Sequence, residues 1–336
     1  MFGIGIIGCG KIAQVRHIPE YAEHKHAKLL GFYDINLDRA KALADQYGGT
    51  AYATAEELLA NPEIDAVSIC AANFAHAEQT IAALNAGKHG LCEKPMAITL
   101  AECEAMVEAA KKNGKYLMIG HNQRLAKAHA TAKKLIDDGL IGRPIAAQAH
   151  FLGHGPESWH PDPYFFFEKG GGPMLDMGPY YVTALVNLMG GVKRVGGMIS
   201  TPFAERTCTC KEHNGEIITV DVPTSYYGTL QFESGAVASI LTSFDIWGAK
   251  LPIIEIYGSK GTLRVPDPNC FGGPVILHTP DEGDKEIPLC FDYPENSRAL
   301  GLAEMAAALK AGRRPRASYK QTLHVLEVLT GFERAV

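Results

Sequence analysis

No apolar run in the sequence reaches the ~18–20 residues that a membrane-crossing helix requires; the longest, such as YVTALVNLMG, fall well short. No charge of either sign predominates. Lys and Arg number 32 against 37 Asp and Glu, a formal net charge of −5. A nucleic-acid-binding surface wants a basic stripe, so nucleic acid is not an expected partner. With 46% of residues apolar, the low hydrophobicity and high net charge of a disordered chain are absent too. There is no internal repeat, no low-complexity tract, no G-x-S-x-G elbow and no Walker lysine, so acyl and phosphoryl transfer have no support. Cys208 and Cys210 have C-x-C spacing with His213 nearby; a zinc site wants four ligands and wider spacing, so no metal is expected. The opening MFGIGIIGCGK has no basic n-region or cleavage site and reads as a strand, which predicts no secretory leader. Of the eight cysteines, Cys9, Cys70 and Cys92 lie in or beside strand-like apolar runs. They read as reduced core residues of a cytoplasmic protein.

What is present divides in two, as 336 residues suggest. Up to about residue 120, short β-rich runs (Ile4–Ile7, Lys28–Tyr33, Ala66–Cys70, His89–Cys92, Tyr116–Ile119) alternate with helical stretches. That alternation predicts parallel strands joined by crossover helices, an α/β unit over 1–122. Thr99 with Glu102 three residues on forms a capping-box pattern, and Gly87 and Gly114 sit where helices end. Over 123–336 the texture changes to longer strand-like runs, with hairpin signals such as FESGAV, and to helices near the C-terminus. This predicts an α+β domain around a mainly antiparallel sheet.

The segment Gly8-Cys9-Gly10-Lys11-Ile12-Ala13 follows a predicted strand and opens a predicted helix. It is G-x-G-x-x-A. Gly8 permits a tight turn, Gly10 lets a pyrophosphate approach the backbone, and Ala13 allows close helix–strand packing. The helix N-terminus adds free N–H groups for the phosphates. Asp34 ends the second predicted strand, 21 residues after Ala13. A carboxylate there accepts from both ribose hydroxyls and repels a 2′-phosphate, which predicts NAD over NADP. Asp34 could instead cap the next helix, and Arg39 could reach a 2′-phosphate.

Four further segments, SICAANFAHAEQ, GLCEKPMAIT, IGHNQRL and GGGPMLDMGPYYVTAL, together with the N-terminal fingerprint, resemble the Gfo/Idh/MocA family of sugar and polyol oxidoreductases. The resemblance covers nearly the whole chain. It implies a Rossmann doubly wound sheet followed by a domain with a large open sheet that forms a homodimer or homotetramer interface. It also implies hydride transfer between NAD(P) and a secondary alcohol or ketone of a sugar, glycoside or polyol. A sugar–sugar transhydrogenase with retained cofactor, or a non-catalytic dinucleotide-binding regulator, are the alternatives.

The resemblance carries roles to particular residues. Glu93-Lys94-Pro95 is the family signature, which implies Glu93 and Lys94 at the cofactor, with Lys94 at a strand's carboxyl end, where open α/β sheets bind ligands and a lysine can hydrogen-bond a substrate hydroxyl. Many members have D-x-G-x-H where this chain has Asp176 and Tyr180, so Tyr180 stands in the acid–base position. A free tyrosine titrates near ~10 and needs a neighbouring cation to act as a base at neutral pH; Lys94 is the candidate. Spacing of four predicts Asp176 and Tyr180 on one helix face, with Tyr181 turned into packing. Asp176 orients Lys94 or grips a hydroxyl. The turn from Ala71 through Asn73 to His76 passes under the cofactor, and Asn73 also suits a helix cap. Gln123 or Asn122 would lie near the nicotinamide or form a polar hinge. The aromatic loop GHGPESWHPDPYFFFEKGGGP offers Trp159 and His160 as sugar contacts. His160 is also an alternative acid–base, and the loop could instead pack at a subunit interface.

Overall fold

The computed structural model describes all residues except 25–26, 121–125, 271, 291–299, 314, 316–318 and 335–336. It resolves into two compact units, residues 1–125 with 296–323, and residues 126–295 with 324–336. This division differs from a single cut after residue 122. The helix Leu300–Lys310 belongs with the first unit because Leu302 and Met305 are buried in a cluster with Ile4, Ile6 and Phe32.

The first unit contains strands β1 (Phe2–Ile7), β2 (Ala27–Tyr33), β3 (Thr50–Tyr52), β4 (Ala66–Ile69), β5 (His89–Cys92) and β6 (Leu117–Ile119). They form one parallel sheet in the order β3-β2-β1-β4-β5-β6. β4 is buried at every position, as a parallel strand covered on both faces by helices must be. Strand order reverses between β1 and β4, and open α/β sheets bind ligands beyond the strands' carboxyl ends at such a switch point. Thr99 caps the helix Leu100–Lys112 in a full capping box with Glu102. Gly87 and Gly114 adopt φ of 76° and 60° after helix ends. β3, with three residues, is too short for its alternation to stand out in the sequence.

The second unit is built on β7 (Pro144–Leu152), β8 (Val192–Ser200), β9 (Glu205–Thr207), β10 (Ile217–Thr219), β11 (Ser225–Phe232), β12 (Val237–Ser243), β13 (Ile254–Gly258), β14 (Thr262–Val265), β15 (Val275–Thr279) and β16 (Gly283–Ile287). Eight of these form a sheet ordered β16-β15-β14-β13-β7-β12-β11-β8, while β9 and β10 make a separate hairpin. All pairs in the large sheet are antiparallel except β7 with β12. One face is covered by helices: a Cβ at Gly228, on β11, would meet Phe332 of the C-terminal helix at 2.2 Å. The opposite face carries Met198 (77% exposed), Tyr227 (50%) and Val237 (52%). Among the described residues, no helix is long and apolar enough to cross a membrane.

Candidate active site

The carboxyl ends of β2, β1, β4 and β5 lie side by side, and each leads into a turn carrying a candidate residue. Gly8 follows β1 with φ of 88°, a conformation that favours glycine. A Cβ there would sit 2.6 Å from the Ala71 amide nitrogen, so the turns after β1 and β4 touch only because residue 8 has no side chain. Gly10 is the opposite case: among the described residues, nothing lies within 4 Å of where its Cβ would project. Its backbone faces open space and a phosphate can reach it. Lys11 and Ile12 border that space, and Ala13 is fully buried against the sheet. These residues fit a dinucleotide pyrophosphate.

Asp34 is 6% exposed and already engaged. Its Oδ2 accepts the Cys9 N–H at 2.7 Å, its Oδ1 accepts the Asn36 N–H at 2.8 Å, and Arg39 Nη1 lies 3.3 Å from both oxygens. The helix cap is Asn36, whose side chain accepts from the Arg39 N–H. Asp34 thus ties the glycine-rich turn to the end of β2.

After β4, Asn73 lies in a short 3₁₀ turn, and the helix His76–Asn85 has no side-chain cap, so Asn73 does not fill that role. The His76 ring is buried and bridges two turns: Nδ1 lies 2.7 Å from the Pro95 carbonyl oxygen and Nε2 3.0 Å from that of Ala71. With both nitrogens engaged by backbone, His76 braces this edge of the sheet. Lys94 follows β5, half-buried, with its amide N–H donating to Glu93 Oε2 at 3.1 Å; the Lys94–Pro95 peptide is cis. Gln123 and Asn122 lie outside the described residues.

In the second unit, Asp176 ends the helix Gly172–Asp176 and Tyr180 lies in the first turn of Gly178–Met189. The expectation of one shared helix face is corrected: two helices meet at Met177. Pro179, without an N–H, cannot extend the first helix's ladder and instead occupies the start of the second. Tyr180 is 3% exposed and Asp176 half-buried. Tyr181 is in packing, as expected. Its hydroxyl donates to Asp267 Oδ1 at 3.2 Å, and burial, then Asp267, pushes its pKa up.

Trp159 is 67% exposed and stands edge-on to His160, whose ring also packs edge-on to Phe165 and Phe166. His160 Nδ1 accepts the Asp162 N–H at 3.1 Å. The sequence reading missed what holds this loop. Arg206, buried, donates from Nε to Glu157 Oε1 at 3.0 Å, from Nη1 to Asp245 Oδ1 at 3.0 Å and from Nη2 to the Phe244 carbonyl at 2.7 Å. Thr224 and Ser225 hydroxyls donate to Asp245 Oδ2. A lone arginine in a strand-like run gives little local signal. Missed as well was the polar group under Glu93, made of His17, Tyr21 and Ser68. Its faint signal is an i, i+4 His–Tyr pair on an inward helix face. Cys208 and Cys210 are buried and free, and among the described residues no group of three His, Cys, Asp or Glu is arranged to hold a metal.

Residues 2–121 match the family model described as an oxidoreductase family with an NAD-binding Rossmann fold, and residues 129–264 match the GFO/IDH/MocA C-terminal domain. The chain is 29% identical over 321 residues to 1,5-anhydro-D-fructose reductase of Ensifer adhaerens, covering 94% of this chain and 90% of that one. It is 29% identical over 308 residues to myo-inositol 2-dehydrogenase of Thermotoga maritima, covering 91% and 87%. Among solved structures, the aldose–aldose oxidoreductase of Caulobacter crescentus superposes with a TM-score of 0.83 at 27% identity, over 99% of this chain and 97% of that one. The glycine-rich turn at the switch point, the Glu93-Lys94-Pro95 turn beside it and the large sheet that follows are those of the GFO/IDH/MocA oxidoreductases, and the chain belongs to that family.

Proposed function

We propose that the chain oxidises a secondary alcohol of a sugar, glycoside or polyol, with NAD as the preferred acceptor, and reduces the matching ketone or lactone in reverse. The observation that carries this reading is the neighbourhood of Lys94. It follows β5, next to the Ala71 turn after β4, which itself touches the glycine-rich turn after β1. Gly8, Gly10, Lys11, Ile12 and Ala13 hold the pyrophosphate, Asp34 holds the adenosine ribose, and the Ala71–Asn73 turn passes beneath the rest. When bound, the dinucleotide supplies the two-electron acceptor for the carbinol hydrogen. Tyr180 Oη takes the hydroxyl proton, Lys94 Nζ supplies the positive charge that makes a phenol a usable base near neutral pH, and Asp176 grips a neighbouring hydroxyl. Trp159 and His160 offer aromatic faces to the apolar C–H patches of the substrate.

The names of the two relatives, a reductase of an anhydro-sugar and a dehydrogenase of a cyclic polyol, support the substrate class. The likeness to an aldose–aldose oxidoreductase favours a second reading, transfer between two sugars with the dinucleotide retained. A panel of sugars and polyols with NAD or NADP, followed at 340 nm, tests both. Reduced cofactor accumulating with one substrate supports the dehydrogenase. Interconversion of a sugar pair without free reduced cofactor supports the second reading. Dinucleotide binding without turnover on any substrate contradicts both. We further propose a cytoplasmic dimer or tetramer joined through the sheet face that carries Met198, Tyr227 and Val237.

A further inference from the structure

Glu93 is a buried carboxylate directly before Lys94, and each of its oxygens has a defined neighbour. Oε1 accepts from His17 Nε2 at 2.7 Å, and Oε2 accepts the Lys94 amide N–H at 3.1 Å. His17 is fully buried and lies 76 residues away in sequence, on the helical stretch that leaves the glycine-rich turn. Its Nδ1 lies 3.2 Å from the Tyr21 hydroxyl and 3.1 Å from Ser68 Oγ, so the ring cannot turn without losing several bonds at once. The space is closed from above by backbone: a Cβ at Gly120 would sit 2.9 Å from Glu93 Oε2. On the other flank, His76 holds the Pro95 carbonyl. The two residues bordering Lys94 are therefore each fastened by an imidazole from a different helix.

A buried carboxylate needs a charge or several donors to remain ionised. His17 meets that need. Burial alone pulls its pKa down, but Cys70, Tyr21 and Glu93 around it raise it, and the net direction is well above the usual histidine value.

We propose that His17 is a positioning residue of the reaction, acting through Glu93 to fix the backbone from which Lys94 projects. The inference rests on the proposed role of Lys94 and adds a reason for the helix after the dinucleotide turn to carry a buried histidine: it fastens the turn that carries Lys94.

The test uses the full chain and four variants: His17→Gln, Glu93→Gln, their double, and Gly120→Ala. The last presses on the Glu93 carboxylate without altering His17 or Lys94. Turnover, KM for the alcohol, dinucleotide Kd by fluorescence titration and thermal midpoint are measured together. The expected result is kcat lowered by about 10- to 100-fold in each, as for a reacting group shifted by a fraction of an ångström. KM and Kd stay within about threefold, and the double variant is no slower than the worse single. Wild-type kcat in folded His17→Gln or Gly120→Ala overturns the proposal, as do additive losses or a Kd that weakens in step with kcat. Should His17→Gln fail to fold, Gly120→Ala decides alone. Lys94→Ala is run beside them: if it keeps its turnover, the reading of the site itself fails, whereas an inactive Lys94→Ala beside fully active His17 and Gly120 variants overturns only this inference.

Discussion

The Asp34 carboxylate accepts the Cys9 amide N–H at 2.7 Å, so the residue expected to meet the adenosine ribose also holds the turn expected to meet the pyrophosphate. Arg39, half of its side chain exposed, rests on the same carboxylate. Asp34→Ala therefore removes the charge that opposes a 2′-phosphate and releases the guanidinium toward it. At intermediate dielectric a unit charge pair near contact is worth about 1–4 kcal/mol, so the ratio of kcat/KM with NADP to that with NAD rises by about tenfold or more. Parallel initial-rate series with the two cofactors measure it; an unchanged ratio contradicts the assignment of Asp34.

Arg206 joins Glu157, in the aromatic loop, to Asp245 after β12, with all three side chains about 5% exposed. Arg206→Met leaves two buried carboxylates without their cation, which costs about 3–5 kcal/mol. Urea denaturation should report that loss. At temperatures where the variant is folded, KM for the alcohol should rise while dinucleotide Kd does not, because the loop with Trp159 and His160 is what the pair anchors. Stability within 1 kcal/mol of wild type, taken as about the value of an exposed pair, would contradict this.

His129 is fully buried, and burial holds its pKa down at about 4. Between the ordinary value of 6.5 and 4, the unfolded chain binds a proton there and the folded chain does not. Acid thus favours unfolding, and this histidine's contribution falls by up to about 3 kcal/mol as pH drops through that window. His17 has the opposite sign. Its folded value is raised, so its contribution is intact below 6.5 and is lost only as pH rises through the folded value. Denaturation at pH 7 and pH 4.5 should show a smaller acid loss in His129→Asn than in wild type. An equal loss would mean His129 is not buried neutral.

Much of this architecture could be read from local pattern, because the elements that form the dinucleotide edge are set by near neighbours: the alternating apolar strands, Gly8 at a turn, Asp34 at a strand end, the Thr99–Glu102 box. What escaped was long-range or polar. β16 reads GDKEI and is exposed along most of its length, so nothing apolar marks it. The helix Leu300–Lys310 has an ordinary apolar pattern that does not say which core it joins, and Leu302 and Met305 join the first. The helix break at Met177 was visible as Gly178-Pro179, yet spacing alone suggested continuity. The His17–Glu93 contact links residues whose surroundings give no hint of each other.

The direct test of the central claim is kcat for Lys94→Ala, Tyr180→Phe and the double variant on a substrate that the panel identifies. If both groups act on the same hydroxyl proton, each single loses about 10²-fold or more, and the double loses little beyond the worse single because the phenol works only with its cation. Near-wild-type turnover in either single, or losses that multiply, would contradict the account.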